Sequence, residues 1–313
     1  MKYGFGIDVG GTTVKLAFFS EEGQMLDKWE IPTVRDDGGK QILPDVAKAV
    51  DAYIAEKKLD KEQILGIGIG VPGPVNNGVV NRCVNLNWGV MDVSSILSGL
   101  TGLPVCVGND ANVAALGELW MGGGKGATDM VLATLGTGIG GGIILGGRPL
   151  DGVHGAAGEI GHITVNPYEH EPCGCGKFGC AEQYCSASGV VRLAKRHLQL
   201  SDRDSILRSI ENLTCKDVFD ACAAGDALAE QILDQVYEYM GRFLANVCNV
   251  VDPELVVLGG GVSKAGEPLL EGARRYFDRY AFHASKSIRF VLATLGNDAG
   301  AYGAFKLVLD SVK

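Results

Sequence analysis

Two short buried strands each run into a turn of glycine and threonine and then return as a second strand. In the N-terminal half this pattern spans Ile7 to Thr13, and later in the chain it spans Thr134 to Gly138. Two further segments, 67–74 and 256–263, join a buried strand to a glycine-rich loop in the same order. Repetition of both patterns predicts a duplicated α/β unit. Because ligands of such sheets bind beyond the carboxyl ends of the strands, we expect a cleft between the two copies.

Glycine accounts for 46 of the 313 residues, so the fold must give many of them a specific use. There is no Gly-X-Y period and there are only 10 prolines, which excludes collagen-like and Pro/Gly-rich disordered chains. Hydrophobic residues make up 46% and charged residues 21%, an ordinary balance for a globular protein. A chain of this length favours about two domains.

The charge balance excludes other classes of protein. Lys and Arg number 28 against 37 Asp and Glu, a net charge of −9, so the basic surface of a nucleic-acid-binding protein is not expected. The N-terminus has no signal-peptide pattern, and the longest uncharged stretch, 130–147, is too short and too rich in glycine for a membrane span. The nine cysteines are scattered and odd in number, which argues against a disulfide framework. These features predict a cytoplasmic protein without nucleic-acid or membrane partners.

Hydrophobic spacing predicts a series of strands and helices. Strands are expected at 3–9, 13–19, 25–31, 64–71, 104–107, 130–135, 143–145, 255–258 and 288–293, and helices at 41–58, 111–121, 226–250 and 299–309. Gly136, Gly138 and Gly141 also fit G-x-G-x-x-G, the dinucleotide fingerprint. That fingerprint must open a helix, whereas the residues after Gly142 have a strand pattern, so it is disfavoured here.

The glycine-rich turns 8–15 and 135–142 suit the phosphates of a nucleotide. Phosphate needs closely packed backbone N–H groups, which glycine allows, and neighbouring threonine hydroxyls add hydrogen bonds. Neither turn is a Walker A loop, and a tight hairpin without a ligand is the alternative for each. The loop Gly259-Gly260-Gly261 would accommodate an adenine or a ribose, or it simply allows close packing of strand and helix. Asp8, beside the first turn, is suited to hold Mg²⁺ directly or through water.

A carboxylate follows another buried strand at Asp110, immediately before a predicted helix. Phosphoryl transfer needs a group that positions the acceptor hydroxyl and takes its proton, which one well-placed Asp can do. The neighbouring Asn109 can hydrogen-bond a hydroxyl. The alternative is that Asp110 merely caps the helix.

Cysteines at 173, 175 and 180, with His162 eleven residues before the first of them, form a set of metal ligands. Three thiolates and one imidazole predict a closed tetrahedral site for structural zinc, which has no open position for chemistry. If one ligand is misassigned, the substitutes are His154, His170 and Cys185. Two acids near this cluster, Glu159 and Glu182, suit the binding of ligand hydroxyls.

These motifs together resemble those of the ROK family of sugar kinases and repressors, within the actin/hexokinase/Hsp70 superfamily. The matching segments are DVGGTT at 8–13, VPGPV at 71–75, NDANVAALGE at 109–118, LGTGIGGG at 135–142, GAAGEIGH at 155–162, CGCGKFGC at 173–180 and LGGGVS at 258–263. The resemblance implies a two-domain actin-like (ribonuclease H-like) fold, built from a duplicated βββαβαβα unit with a cleft between the halves. A smaller domain would comprise 1–112 and 299–313, and a larger domain with the zinc-binding insertion would comprise 113–298.

The resemblance also implies roles for individual residues. Asp110 would be the general base for a sugar 6-hydroxyl, and His162 would use one ring nitrogen for zinc and the other for the sugar. The remaining sugar contacts would come from Gly73, Asn109, Glu159 and Glu182. The nucleotide would be bound by Gly6, Asp8, Gly10, Gly11, Thr12, Thr13, Gly136, Thr137, Gly138, Gly140, Gly259, Gly260 and Gly261.

The leading hypothesis is therefore an ATP- and Mg²⁺-dependent hexokinase with a structural Zn²⁺. Within the family the motifs are most like those of bacterial glucokinases, but kinases of N-acetylglucosamine, N-acetylmannosamine and fructose share them. A sugar-responsive repressor and a catalytically silent sugar-binding protein are the alternatives from other classes. A homodimer is implied by the resemblance alone, and the preference for ATP over polyphosphate stays open.

Overall fold

The computed structural model describes residues 1–312 and divides into two compact units. Unit 1 comprises Met1–Thr128, Gly142–Gly158 and the C-terminal residues from Leu295, whereas unit 2 comprises Asp129–Gly141 and Glu159–Thr294. Within residues 1–312, no helix combines the length and the apolar character that crossing a membrane requires.

The described part of the chain contains thirteen strands and ten α-helices. The strands are β1 (Tyr3–Val9), β2 (Thr13–Ser20), β3 (Met25–Pro32), β4 (Ile64–Val71), β5 (Val75–Asn76), β6 (Val79–Val80), β7 (Met91–Asp92), β8 (Val105–Asn109), β9 (Met130–Leu135), β10 (Ile139–Leu145), β11 (Arg148–Pro149), β12 (Leu255–Gly259) and β13 (Arg289–Leu292). The helices are α1 (Asp36–Gly39), α2 (Ile42–Lys57), α3 (Val93–Thr101), α4 (Asp110–Met121), α5 (Glu182–Cys185), α6 (Ala187–Leu200), α7 (Cys215–Ala223), α8 (Ala227–Val251), α9 (Glu267–Tyr280) and α10 (Ala299–Ser311).

The first sheet has the strand order β3-β2-β1-β4-β8. Strand β1 pairs antiparallel with β2 and parallel with β4, and β4 pairs parallel with β8. Phe5 and Ile7 on β1 and Ile67 and Ile69 on β4 are fully buried, so these central strands form the core of unit 1. Their apolar runs explain why the sequence forms buried strands here.

The second five-stranded sheet has the order β11-β10-β9-β12-β13, and β12 pairs parallel with both β9 and β13. Numbered along the chain within each sheet, both sheets have the order 3-2-1-4-5. This shared order agrees with the predicted duplication. A further three-stranded sheet, β5-β6-β7, was not predicted.

Strand β10 begins at Ile139, four residues before the predicted start at Ile143. The glycines at 140, 141 and 142 therefore belong to a strand, although glycine alone disfavours one. A side chain at Gly142 would lie 2.5 Å from the Cβ of Ala115 on α4, so the helix packs closely on this strand. Within the glycine-rich segment 135–142, the turn between β9 and β10 is thus limited to residues 136–138.

Helix α4 lies in unit 1, whereas the predicted domain boundary after residue 112 assigns most of it to the larger domain. Its partner is α10, and the two helices meet at glycines. A Cβ on Gly303 would be 1.5 Å from the carbonyl oxygen of Val113, and one on Gly117 would be 2.2 Å from that of Ala299. This backbone-to-backbone contact keeps residues 113–121 with the N-terminal sheet.

Candidate active site

The first glycine/threonine turn connects β1 to β2 and is held by hydrogen bonds, two of them from Thr33 outside the turn. The N–H of Gly10 donates to the carbonyl oxygen of Thr13 at 2.9 Å, and the Thr33 hydroxyl donates to the Gly10 carbonyl at 2.7 Å. The Thr33 N–H also donates to the carbonyl of Thr12 at 2.9 Å. The structure therefore brings Gly10, Gly11, Thr12 and Thr13 together in one tight turn at the carboxyl end of β1. Thr33 was not singled out in the sequence.

Asp8 lies on β1 opposite Lys15 of β2, and its Oδ2 is 3.9 Å from Lys15 Nζ. Burial raises the pKa of the Asp8 carboxyl group, and the positive charge of Lys15 opposes that effect. A Cβ on Gly300 would lie 2.8 Å from Asp8 Cγ, so the start of α10 packs directly against the carboxylate. Asp8 is thus a partly buried acid beside the turn.

Packing explains why the residue at position 6 is glycine. It lies within β1, and a Cβ there would be 2.0 Å from the carbonyl oxygen of Ala301 on α10. The position is glycine because helix and strand meet backbone to backbone. Close packing therefore accounts for glycine at this position, and the nucleotide contact of Gly6 stays a prediction.

The start of α4 shows which residue caps the helix, a question that the sequence leaves open for Asp110. Asn109 is the N-cap, and its Oδ1 accepts the N–H groups of Ala111 at 3.0 Å and Asn112 at 3.2 Å. Asp110 is the first residue of the helix, in the first turn, where an acidic side chain interacts favourably with the helix dipole. The explanation of Asp110 as the N-cap is therefore wrong.

The amide of Asn109 also connects this helix start to the loop after β4. Its Nδ2 donates to the carbonyl oxygen of Gly73 at 3.0 Å. Gly73 has φ +97°, and a Cβ there would lie 2.7 Å from the carbonyl of Arg82, so only glycine fits. Gly73, Asn109 and Asp110 are thereby held together in unit 1.

In unit 2, the four predicted metal ligands converge. One donor atom from each of His162, Cys173, Cys175 and Cys180 lies within 4.8 Å of the others. The Sγ atoms of Cys175 and Cys180 are 3.7 Å apart, and Cys173 Sγ is 3.8 Å from His162 Nδ1. Tetrahedral zinc bonds would separate two sulfurs by about 3.8 Å and a sulfur from a nitrogen by about 3.6 Å. The donor set and its spacing are thus compatible with zinc, and His154, His170 and Cys185 are not part of this cluster.

The two nitrogens of His162 face different groups. Nδ1 points to the cysteine cluster, whereas Nε2 lies 3.8 Å from Oε2 of Glu159, which is more than half exposed. A metal on Nδ1 would leave Nε2 as the nitrogen available to a ligand and would fix the orientation of the ring.

The second glycine/threonine turn, residues 136–138, lies in unit 2 beside the metal-binding segment. Gly136 N–H donates to the carbonyl of Gly138 at 2.9 Å, and Ile139 N–H donates to Glu182 Oε2 at 2.9 Å. Gly260, with φ +82°, packs on the same region, because a Cβ there would be 2.6 Å from the carbonyl of Leu135. The turn and the loop 259–261 are therefore neighbours within one unit.

Two α/β sheets with the same strand order, each with a Gly/Thr turn between its first two strands, define the duplicated fold of the actin-like ATPases. The chain belongs to the ROK family, whose sequence signature matches residues 4–311.

Comparison with individual proteins agrees with this family. The chain is 45% identical to a glucokinase of Halalkalibacterium halodurans over 97% of its own length and 94% of that protein. It is 32% identical to a ROK family glucokinase from Streptomyces griseus solved in complex with glucose and AMPPNP, with a TM-score of 0.75 and coverage of 97% and 98%. It is also similar to a ROK family transcriptional regulator, a homologue of the E. coli MLC protein, at 27% identity and a TM-score of 0.86, over 99% of this chain and 78% of that one.

Proposed function

We propose that the protein is a glucokinase, which transfers the γ-phosphoryl group of ATP to the 6-hydroxyl of glucose. The observation that carries the proposal is the helix start at 109–110, where Asn109 is the cap and Asp110 follows it in the first turn. A carboxylate in that position suits a general base. The 45% identity to a glucokinase supports the choice of glucose.

In the proposed reaction, Asp110 accepts the proton of the sugar hydroxyl while the hydroxyl oxygen attacks the γ-phosphorus. The bond from that phosphorus to the bridging oxygen breaks, and ADP leaves with the electron pair. Because such transfer depends on positioning and electrostatics, the two Gly/Thr turns contribute by holding the phosphates with backbone N–H groups. Mg²⁺ would neutralise phosphate charge, and Asp8 is the acid placed to hold it, directly or through water.

The nucleotide contacts that we propose are Asp8, Gly10, Gly11, Thr12, Thr13, Gly136, Thr137, Gly138, Gly140, Gly259, Gly260 and Gly261. The sugar contacts that we propose are Gly73, Asn109, Asp110, Glu159, His162 and Glu182. Structural zinc on His162, Cys173, Cys175 and Cys180 would hold the His162 ring so that Nε2 meets the sugar. Its role is orientation, since four protein ligands complete the coordination.

ADP release with a panel of sugars tests the proposal. Glucose, mannose, fructose, N-acetylglucosamine and N-acetylmannosamine are compared with ATP and then polyphosphate as donor, and we expect the highest kcat/KM with glucose and ATP. Asp110→Asn should still bind glucose but lose about 10²–10⁴-fold in kcat, the usual contribution of a general base. Asp92→Asn is the matched control, because Asp92 is an exposed N-cap of α3. Undiminished turnover of Asp110→Asn would overturn the assignment.

Two properties of the molecule complete the proposal. The described cysteines are all free thiols, which fits a reducing compartment such as the cytoplasm. The proposal that the protein is a homodimer is based on family resemblance. Light scattering of the native protein would then give about twice the chain mass of 32.9 kDa.

A further inference from the structure

The segment from Cys180 to Gly189 leads from the metal cluster to helix α6 and contacts the turn at 136–139 twice. Ile139 N–H donates to Glu182 Oε2 at 2.9 Å, and Ala187 N–H donates to the carbonyl of Gly136 at 2.8 Å. The turn thus accepts one hydrogen bond at the carbonyl of Gly136, and the residue that follows it, Ile139, donates one. Both hydrogen bonds connect the turn to the segment that follows Cys180, the last of the candidate metal ligands.

Glu182 is itself firmly placed in this segment. Its carbonyl accepts the Ser186 hydroxyl at 2.7 Å, and the same hydroxyl accepts the N–H of Gly189 at 3.0 Å. Its second carboxylate oxygen, Oε1, lies 3.7 Å from Cys173 Sγ. The carboxylate therefore lies between a metal ligand and the turn.

The turn is shaped around this carboxylate. A Cβ on Gly138 would lie 2.1 Å from Glu182 Oε2, so glycine at this position leaves space for the glutamate. A Cβ on Gly136 would meet nothing nearer than 4.0 Å. The close contact is thus specific to the side of the turn that faces Glu182.

We infer that Glu182 is a positioning residue for the nucleotide, because its carboxylate fixes the 136–139 turn to the metal-binding segment. The inference rests on the proposed function, in which this turn holds the phosphates of ATP. It adds a second role to the sugar contact proposed for Glu182. An ionised carboxylate has about four acceptor sites, enough for a sugar hydroxyl and the Ile139 N–H together.

The test is calorimetric binding of AMPPNP with Mg²⁺ in the absence of any sugar. Glu182→Ala removes the acceptor, and we expect about tenfold weaker binding, the equivalent of one lost hydrogen bond. Glu182→Gln retains a carbonyl acceptor for Ile139 and should bind AMPPNP within about threefold of the wild type. Glucose binding, measured separately, should weaken in both variants if the sugar contact needs the charge.

The matched control is Glu159→Ala, which removes another proposed sugar carboxylate in the same unit. Glu159 lies next to His162 Nε2, so this variant should lose glucose affinity while its AMPPNP affinity stays unchanged. Zinc content and thermal unfolding of every variant establish that the fold is intact. Should Glu182→Ala fail to fold, Glu182→Asp shortens the side chain, withdraws the carboxylate from the Ile139 N–H and should show the same loss.

The inference would be overturned if Glu182→Ala bound AMPPNP with wild-type affinity, or if Glu182→Asp did so where Glu182→Ala does not fold. An equal loss of AMPPNP affinity in Glu159→Ala would overturn it too. Failure of the wild-type protein to bind AMPPNP would instead overturn the proposed kinase function. The two failures are therefore distinguishable in one series of titrations.

Discussion

Individual glycines in this chain serve two physical purposes that look alike in the sequence. Gly138 leaves room for a carboxylate at a turn, whereas Gly6 allows the backbone of α10 to contact β1. Both follow the same rule, that a missing Cβ permits close approach. The sequence cannot identify the approaching group, because the contact to Gly6 comes from Ala301, almost three hundred residues away.

Near the metal cluster, Glu169 is buried, with 6% of its surface exposed, and forms an ion pair with Arg192 at 2.5 Å. Tyr184 donates its hydroxyl proton to the same carboxylate oxygen at 2.5 Å. Burial opposes ionisation of Glu169, but the hydrogen bonds from Arg192 and Tyr184 outweigh it and lower the pKa to about 2. No sequence motif indicated this pair.

We expect Glu169→Gln to lower the free energy of unfolding by about 1.5–3 kcal/mol near neutral pH, the range for a hydrogen bond to a charged group. Because the folded-state pKa lies below the ordinary value of 4.5, this contribution is complete above about pH 4.5 and is lost as the pH falls toward 2. Urea unfolding of both proteins at several pH values should show the difference shrinking over that interval.

Glu171→Gln is the control for this series, because Glu171 contacts the same arginine but its side chain is 68% exposed. An exposed pair contributes about 0–1 kcal/mol, so this variant should differ little from the wild type. A difference for Glu169→Gln that does not change between pH 4.5 and 2 would contradict the account.

At the scale of elements, the sequence predicted the central strands well and the glycine-rich ones poorly. Strands β1 and β4 are continuous apolar runs and have the predicted bounds, since burial on both faces leaves a clear pattern. Strand β10 begins four residues before its predicted start, because its glycines have low strand propensity and so give no strand pattern in the sequence. The two-residue strands β5, β6 and β7 are too short for any periodicity to reveal.

The four candidate metal ligands that the sequence singled out converge in the structure, because ligand type and spacing are local features of the sequence. We expect the purified protein to contain about one zinc per chain and Cys175→Ser to lose it, measured by elemental analysis. Metal binding contributes on the order of 10 kcal/mol to ordering such loops in isolated zinc peptides, so protease should cleave 170–180 faster in the variant.

Cys222→Ser is the matched control, since Cys222 lies on α7 and is not part of the cluster. It should retain zinc and resist protease as the wild type does. Full activity of a protein freed of metal by chelation would contradict a structural role for the site.

At the scale of the whole molecule, the duplicated strand order followed from two repeated motifs, but the boundary of the units did not. The predicted division after residue 112 fails to place α4 with the N-terminal sheet, where Gly117 and Gly303 allow it to pack on α10. Such helix pairs join residues far apart in the chain, and neither partner has a pattern that indicates the other. The assignment of Asp110 was open for a similar reason, because only the structure shows that Asn109 is the cap.

Charge favours the kinase over the repressor at this scale. The ROK transcriptional regulator shares the fold over 99% of this chain, so the fold alone does not separate the two functions. The net charge of −9 favours the kinase, because binding to DNA requires cationic contacts to phosphates.

We therefore expect no retardation of duplex genomic fragments in a gel-shift assay at about 150 mM salt, with or without glucose. The same assay at about 50 mM salt is the control, since weak contacts to phosphate strengthen steeply as salt falls. Any complex seen only at low salt should not discriminate between DNA sequences, because phosphate contacts carry no sequence information. A complex that persists at the higher salt and dissociates on addition of a sugar would contradict the kinase assignment as the sole function and favour a sugar-responsive repressor.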